Sequence, residues 1–226
     1  MKRRAALSLL LAAAAGARAQ VAPTAQEAAR YTGLHAAAHR GDLAALRTLL
    51  AGGAAVDARD GRGRTPLHVA TFARQREAVR LLAGAGAQLG VLEDDRYDAV
   101  TIAAVADDEE TLRVLLQLGA SARLVTSRYD GTALIAAAHL GHDGVVRQLI
   151  AAGAPLDHVN NLHWTALIEA IVLGDGGPRH QATLAALLQA GASTRLTDRS
   201  GATPLALARA RGYAAMVRQL EAAGAR

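Results

Sequence analysis

The sequence predicts an all-α fold, a solenoid built from six stacked helix pairs that are joined by polar extended links. A Gly-Ala pair recurs about every 33 residues, and an aliphatic residue upstream of each pair keeps the same period. The apolar residues are mainly Ala, Leu and Val, whereas aromatic residues make up only 3% of the chain, which suits small, closely packed helices better than a β-sandwich. One helix pair of this kind cannot bury its own apolar face, but stacked pairs can.

The two landmarks divide the chain into six repeats. The glycines of the Gly-Ala pairs are Gly53, Gly86, Gly119, Gly153, Gly191 and Gly224. The aliphatic landmarks are Leu34, Leu67, Val100, Leu134, Leu167 and Leu205. Both intervals widen once to 38 residues, which places an insertion between Leu167 and Gly191. The predicted repeats are about 30–60, 61–93, 94–127, 128–160, 161–198 and 199–226.

Each repeat contains the local signals of two short helices. The predicted N-caps of the first helices are Thr32, Thr65, Asp98, Thr132, Thr165 and Thr203, whose side-chain oxygens can accept hydrogen bonds from free backbone N–H groups. Pro66 and Pro204 suit the first turn of a helix. The second helix carries apolar residues at i, i+3 and i+4, and the glycine of the Gly-Ala pair should end it with a positive φ.

The first nineteen residues have the pattern of a secretory signal peptide. Lys2, Arg3 and Arg4 precede an apolar run over residues 7–15, and small residues precede Gln20. The alternative is an N-terminal membrane anchor, but this run is shorter than the roughly 20 residues that a membrane span needs. We expect cleavage after residue 19, a lead-in over 20–29, no membrane span in the mature chain, and a periplasmic location in a bacterium. Both Sec and twin-arginine export remain open.

The positive charge of the chain is concentrated in this N-terminal segment. The formal net charge is +5, but four of the basic residues lie within residues 1–19 and leave 21 basic against 20 acidic residues. A basic surface for nucleic acid is therefore not predicted. The absence of cysteine excludes disulfides, thiolate nucleophiles and Cys-ligated zinc.

Residues 65–70 read TPLHVA, and together with the 33-residue period and the Gly-Ala ending they resemble the ankyrin repeat family. With its N-terminal segment, the chain is similar to the signal-peptide-bearing bacterial, periplasmic ankyrin repeat proteins. The resemblance implies an ankyrin-repeat solenoid, a curved array of six helix-turn-helix-hairpin repeats in which hairpins and first helices line a concave face. It also implies a non-enzymatic protein-protein interaction module, which we expect to be a monomer.

The resemblance indicates which side chains face a partner. In the ankyrin pattern, two residues just before the turn between the helices lie on the concave side, and those of the middle repeats are largely apolar here. Aromatic residues on adjacent hairpins add anchors of the kind found in interfaces. The predicted partner-binding residues are Phe72, Tyr97, Val105, Tyr129, His139, Leu140, Trp164, Val172 and Leu173. The alternative is that these residues are buried under neighbouring hairpins.

No catalytic constellation or cofactor motif is present in the sequence. The serines lie outside any nucleophile elbow, and the glycine-rich segment 174–178 lacks the strand and Lys-Ser/Thr pair of a phosphate loop. We therefore predict no enzyme activity and no cofactor. An alternative function is binding of a metal or small ligand by the His-rich region of repeats four and five, since imidazole is a common metal ligand. Its candidate ligands are His139, His158, His163 and His180.

Overall fold

The computed structural model describes residues 21–226, which form thirteen helices and one two-stranded antiparallel ladder. The predicted signal peptide lies outside the described residues. A short lead-in helix, α1 (Ala25–Arg30), comes first. The inner helices are α2 (Gly33–Arg40), α4 (Pro66–Phe72), α6 (Ala99–Val105), α8 (Ala133–Leu140), α10 (Ala166–Val172) and α12 (Pro204–Ala210). The outer helices are α3 (Leu43–Ala51), α5 (Arg76–Gly84), α7 (Glu109–Gln117), α9 (Asp143–Ala151), α11 (Pro178–Gln189) and α13 (Ala214–Ala222).

The helices stack in two layers, which confirms the predicted all-α solenoid. Each inner helix packs against the inner helices before and after it, and the outer helices follow the same order. Buried Ala, Leu, Val and Ile side chains from both layers form one continuous core along the array. Leu115 in α7 and Leu149 in α9 are 0% exposed within it. Burial between neighbouring pairs therefore supplies the core that no single pair could form.

The predicted N-caps and C-terminal glycines of the helices are present in the structure, with one exception. In five repeats the N-cap side chain accepts a hydrogen bond from the backbone three residues later, and Thr32 is the exception. The glycines of all six Gly-Ala pairs have positive φ, between 78° and 92°. A residue with a Cβ would be strained in this conformation, so the repeated glycine fixes where each outer helix ends.

Hairpins that we call fingers connect the repeats. The five fingers are residues 52–65, 85–98, 118–132, 152–165 and 190–203. Only the third contains a ladder, in which β1 (Val125–Thr126) pairs antiparallel with β2 (Gly131–Thr132). In the fourth, Oδ1 of Asn160 accepts hydrogen bonds from the backbone N–H groups of Leu162 and Trp164, each at 3.0 Å. This side-chain acceptor takes the place of a strand ladder and sets the direction of the finger.

Two histidines tie inner helices to the following finger. Nε2 of His35 donates to the carbonyl oxygen of Arg64 at 2.9 Å, and Nε2 of His68 donates to that of Val91 at 3.0 Å. Nδ1 of His68 accepts from the N–H of Thr65, so the neutral ring satisfies one group on each side. Burial lowers the pKa of His68 to about 4, consistent with this uncharged structural role.

The fifth repeat contains the insertion at the predicted place. Residues 173–177 form a loop, and α11 has twelve residues where the other outer helices have nine. The loop is tied to the last repeat, because the hydroxyl of Tyr213 donates to the carbonyl oxygen of Gly174 at 2.8 Å. Within residues 21–226, no helix has both the length and the apolar character needed to cross a membrane.

Candidate partner-binding surface

The carboxyl ends of the stacked inner helices form a row along the array. Phe72 and Val105 end α4 and α6, and Leu140 ends α8. Leu140 is 39% exposed, whereas Phe72, Val105, His139 and Leu173 are half-buried. The row is therefore partly accessible, and its most exposed apolar side chain lies in the fourth repeat.

Val172 differs from the other predicted surface residues. It is the last residue of α10 and is only 5% exposed. Helix α10 is packed between α8 and α12, and all seven of its residues are buried. Val172 therefore belongs to the packing of the fifth repeat rather than to the accessible part of the row.

Exposed apolar side chains concentrate around the fourth repeat. Among the described residues, the exposed large hydrophobic side chains are Val21, Val125, Leu140 and Val159. Val125 and Val159 hold equivalent positions, 34 residues apart, on the third and fourth fingers, which flank α8. We call Val125, Leu140 and Val159 the fourth-repeat patch. Sequence reasoning missed both valines. In the structure Val125 is exposed and Thr126 is buried, which is the alternation expected of a strand with one outward face.

The three predicted aromatic residues lie on successive fingers and are half-buried. Each follows a turn closed by its own side-chain acceptor. The backbone N–H of Tyr97 donates to Glu93, that of Tyr129 to Ser127 and that of Trp164 to Asn160. The rings are therefore carried by ordered turns, which lowers the entropy lost when a partner binds.

A buried carboxylic acid, which sequence reasoning did not assign to a site, lies beside the fourth finger. Glu169 in α10 is 4% exposed, and its Oε1 accepts a hydrogen bond from Nδ2 of Asn160 at 3.0 Å. Burial raises the pKa of Glu169 to about 7, although the Asn160 bond opposes the shift. Nδ1 of His139 lies 3.6 Å from Oε2, but burial and then the nearby His180 and His142 lower the pKa of His139. Because these shifts disfavour both charged forms, this contact is not a strong ion pair. The signal in the sequence was a lone glutamate in the interior of a buried helix.

The structure does not group the four histidines of the metal-binding alternative. Nε2 of His158 donates to the carbonyl oxygen of Asp130 at 2.6 Å, and Nε2 of His180 donates to that of His139 at 2.9 Å. His163 is exposed in its finger turn with φ of 69°, where the first finger has Gly63. In the part of the chain that the structure describes, no three His, Cys, Asp or Glu side chains are arranged to hold a metal ion. The rings of His158 and His180 instead hold a finger and a turn through these carbonyl bonds.

A second charged site, which the sequence did not indicate, lies at the first repeat. A cleft of about 490 Å³ separates α1 from the first finger. Arg64, only 2% exposed, donates to Oδ2 of Asp60 at 2.7 Å and to Oε1 of Glu27 at 3.2 Å. Arg62 also donates to Oε1 of Glu27, at 2.9 Å, and the hydroxyl of Tyr31 donates to Asp60 at 2.8 Å.

The pKa values at this cleft follow its hydrogen bonds. Backbone and side-chain bonds from Thr24, and then the bond from Arg62, lower the pKa of Glu27 to about 2. Burial alone would raise the pKa of Asp60, but donors from Arg62, Arg64 and Tyr31 lower it overall. Both carboxylates are therefore ionised at neutral pH.

The stacked helix pairs and the capped fingers define a helical-repeat protein. The chain belongs to the ankyrin repeat family, since the family model for ankyrin repeats (3 copies) matches residues 4–93 and 100–197. Ankyrin repeats generally mediate protein-protein interaction, and ankyrin repeat proteins are typically non-enzymatic.

Solved structures and a curated relative agree with this assignment. An ankyrin repeat domain from Acinetobacter baumannii AYE is 44% identical with a TM-score of 0.81, over 85% of this chain and 98% of that one. The ankyrin repeat domain of Bcl-3, a member of the IkappaB family, is 31% identical with a TM-score of 0.77, over 87% and 88% of the two chains. The ankyrin repeat protein YahD of Escherichia coli strain K12 is 45% identical over 100 residues, which are 44% of this chain and half of that protein's length.

Proposed function

We propose that the protein is a non-enzymatic binding module that holds a partner protein on its concave face, with contacts centred on the fourth-repeat patch. The concentration of exposed apolar side chains at Val125, Leu140 and Val159 carries this proposal. Grouped apolar side chains on a protein surface tend to mark interaction sites, and large side chains near the centre of an interface supply most of its binding energy. Phe72 and Val105 extend the apolar row toward the N-terminal repeats.

The experiment has a capture step and a variant step. A photo-crosslinking amino acid at position 140 should capture a partner in cells, and the same probe at Arg113, exposed on α7, should not capture it. The captured protein is then purified and its affinity measured for the wild type, Leu140→Asp, Val159→Asp and Phe72→Ala. We expect each variant to weaken binding by about tenfold or more, the effect of a central interface residue.

The matched control is Val21→Asp, because Val21 is 37% exposed but belongs to the N-terminal lead-in. It should leave the affinity unchanged. Circular dichroism of each variant separates lost contact from lost folding. If Leu140→Asp and Val159→Asp stay folded and bind with wild-type affinity, the partner does not use the concave face at this repeat.

We further propose that the protein acts as a monomer in the periplasm of a bacterium, after removal of residues 1–19. The basic start, the apolar run over residues 7–15 and the small residues before Gln20 support export. The intact mass of protein from a periplasmic extract should correspond to a chain beginning at Gln20. Recovery of cytosolic protein with Met1 retained would refute the export proposal, and light scattering tests the monomer.

A further inference from the structure

The cleft at the first repeat has an excess of positive charge. It is lined by the arginines Arg30, Arg59, Arg62 and Arg64, and by two carboxylates, those of Glu27 and Asp60. Two guanidinium charges are therefore not balanced within the cleft. Excess charge of one sign in a concave site raises the local concentration of counter-ions and favours an anionic ligand.

The unbalanced charges belong to two identifiable side chains. Arg30 is exposed, and the structure gives its side chain no ion pair or hydrogen bond within residues 21–226. Arg59 donates only to the carbonyl oxygens of Gly63 and Leu92, at 3.3 and 3.1 Å, and these acceptors carry no formal charge. Arg62 and Arg64, by contrast, already contact carboxylates. Arg30 and Arg59 are thus available to a ligand without breaking an existing ion pair.

The buried arginine of the cleft is only partly satisfied by its carboxylate partners. Arg64 lines the cleft and is 2% exposed, yet its Nη1 has no hydrogen-bond acceptor within the described protein. Native structures normally give a buried donor an acceptor from the protein, solvent, an ion or a ligand. The guanidinium fork fits the oxygens of phosphate and carboxylate groups.

The size and walls of the cleft restrict the ligand further. A volume of about 490 Å³ exceeds that of a single phosphate group and falls within the range of small-molecule sites. Tyr31 and His35 stack with ring centroids 5.6 Å apart, which gives the cleft an aromatic wall beside its arginines. We propose that this cleft binds a small phosphate monoester, whose phosphate contacts the arginines and whose organic group lies against the aromatic wall. This site is separate from the fourth-repeat patch and does not depend on the function proposed above.

The carboxylate of Glu27 competes with this ligand for the arginines of the cleft. Its carboxylate contacts both Arg62 and Arg64, and it lies on α1, a six-residue helix with no buried residues. The carboxylate therefore takes up part of the anion-binding capacity of the cleft. Removing its charge should strengthen anion binding, whereas removing the charge of Arg30 should weaken it.

The test measures binding of phenyl phosphate to the purified protein by calorimetry at constant low ionic strength. Inorganic phosphate is the second probe and distinguishes a free ion from a monoester, while succinate tests whether any dianion suffices. The variants are Arg30→Ala, Glu27→Gln and the control Arg47→Ala, which removes an exposed arginine of α3 outside the cleft.

We expect saturable binding of phenyl phosphate, tighter than that of either other probe. Arg30→Ala should weaken it by about fivefold and Glu27→Gln should strengthen it by about fivefold, as expected for one partly screened charge, while Arg47→Ala changes it less than twofold. Absence of saturable binding, or equal losses in Arg30→Ala and Arg47→Ala, would overturn the site. Inorganic phosphate or succinate binding as tightly as phenyl phosphate would overturn the assignment to a monoester.

Discussion

Replacing Glu169 by glutamine should change how the stability of the protein depends on pH. Burial raises the pKa of Glu169 from 4.5 to about 7. Because the folded-state pKa is raised, the native state holds this proton at pH values between 4.5 and about 7, where the unfolded state has lost it. The stabilising effect of the protonated acid is therefore complete below pH 4.5 and is lost as the pH rises through 7.

The size of the effect follows from the two pKa values. The pKa of Glu169 is 4.5 in the unfolded state and about 7 in the folded state. Relative to the protonated acid, this difference lowers the free energy of unfolding by about 1 kcal/mol at pH 5 and by about 3 kcal/mol at pH 8. Glutamine cannot ionise, and its Oε1 can still accept the hydrogen bond from Asn160. We therefore expect the advantage of Glu169→Gln over the wild type to grow by about 2 kcal/mol from pH 5 to pH 8.

Urea unfolding at pH 5, 6.5 and 8 measures this difference with two probes. Far-ultraviolet circular dichroism follows all helices, whereas the single tryptophan, Trp164, belongs to the finger whose Asn160 contacts Glu169. Comparing the probes shows whether the fifth repeat opens before the rest of the array. The control is Glu110→Gln, since the Glu110 side chain is 64% exposed. An advantage of Glu169→Gln that does not change between pH 5 and pH 8 would refute the reasoning.

Other predictions concern packing and backbone geometry. Leu115→Ala should cost about 2–5 kcal/mol because Leu115 is fully buried, whereas Leu140→Ala should cost under about 0.5 kcal/mol, and urea unfolding compares the two. Gly212→Ala should cost about 1 kcal/mol from its φ of +72° alone. Gly141→Ala, with φ of +68° and the His180 ring 3.0 Å from the added Cβ, should lower the melting temperature further. Asn160→Ala should lower the free energy of unfolding by about 1–3 kcal/mol, because Glu169 and two backbone N–H groups lose their partner. It should also shift the tryptophan emission maximum to longer wavelength.

The repeat architecture was predictable because its signals are local. An N-cap and a C-terminal glycine act within a few residues of themselves, so their spacing reports directly on helix boundaries. The wider interval between Leu167 and Gly191 likewise locates the insertion, since it changes only the chain length between two fixed landmarks. Thr32 fails as a side-chain cap, and it precedes Gly33, a first helical residue with φ of +53°.

The details of the surfaces were not predictable, because they depend on contacts between distant residues. Glu27 meets Arg64 across 37 positions, and Nε2 of His180 reaches the carbonyl oxygen of His139 across 41. The sequence placed His158 and His180 among candidate metal ligands, whereas the Nε2 atom of each donates to a backbone carbonyl oxygen in the structure. Val172 resembled its counterparts Phe72 and Val105 in the repeat pattern, but its helix is buried along its whole length.

The linear order of contacts separates the two proposed sites. Each helix pair packs mainly on its neighbours, and helices α4 to α7 lie between the first-repeat cleft and the fourth-repeat patch. Substitutions at distant positions without shared partners usually have additive free-energy effects. Arg30→Ala should therefore leave partner affinity unchanged, Leu140→Asp should leave phenyl phosphate affinity unchanged, and the double variant should show the sum of the two losses. A measured coupling free energy above about 0.5 kcal/mol would mean that the array transmits a change along its axis, because direct contact between the sites is absent.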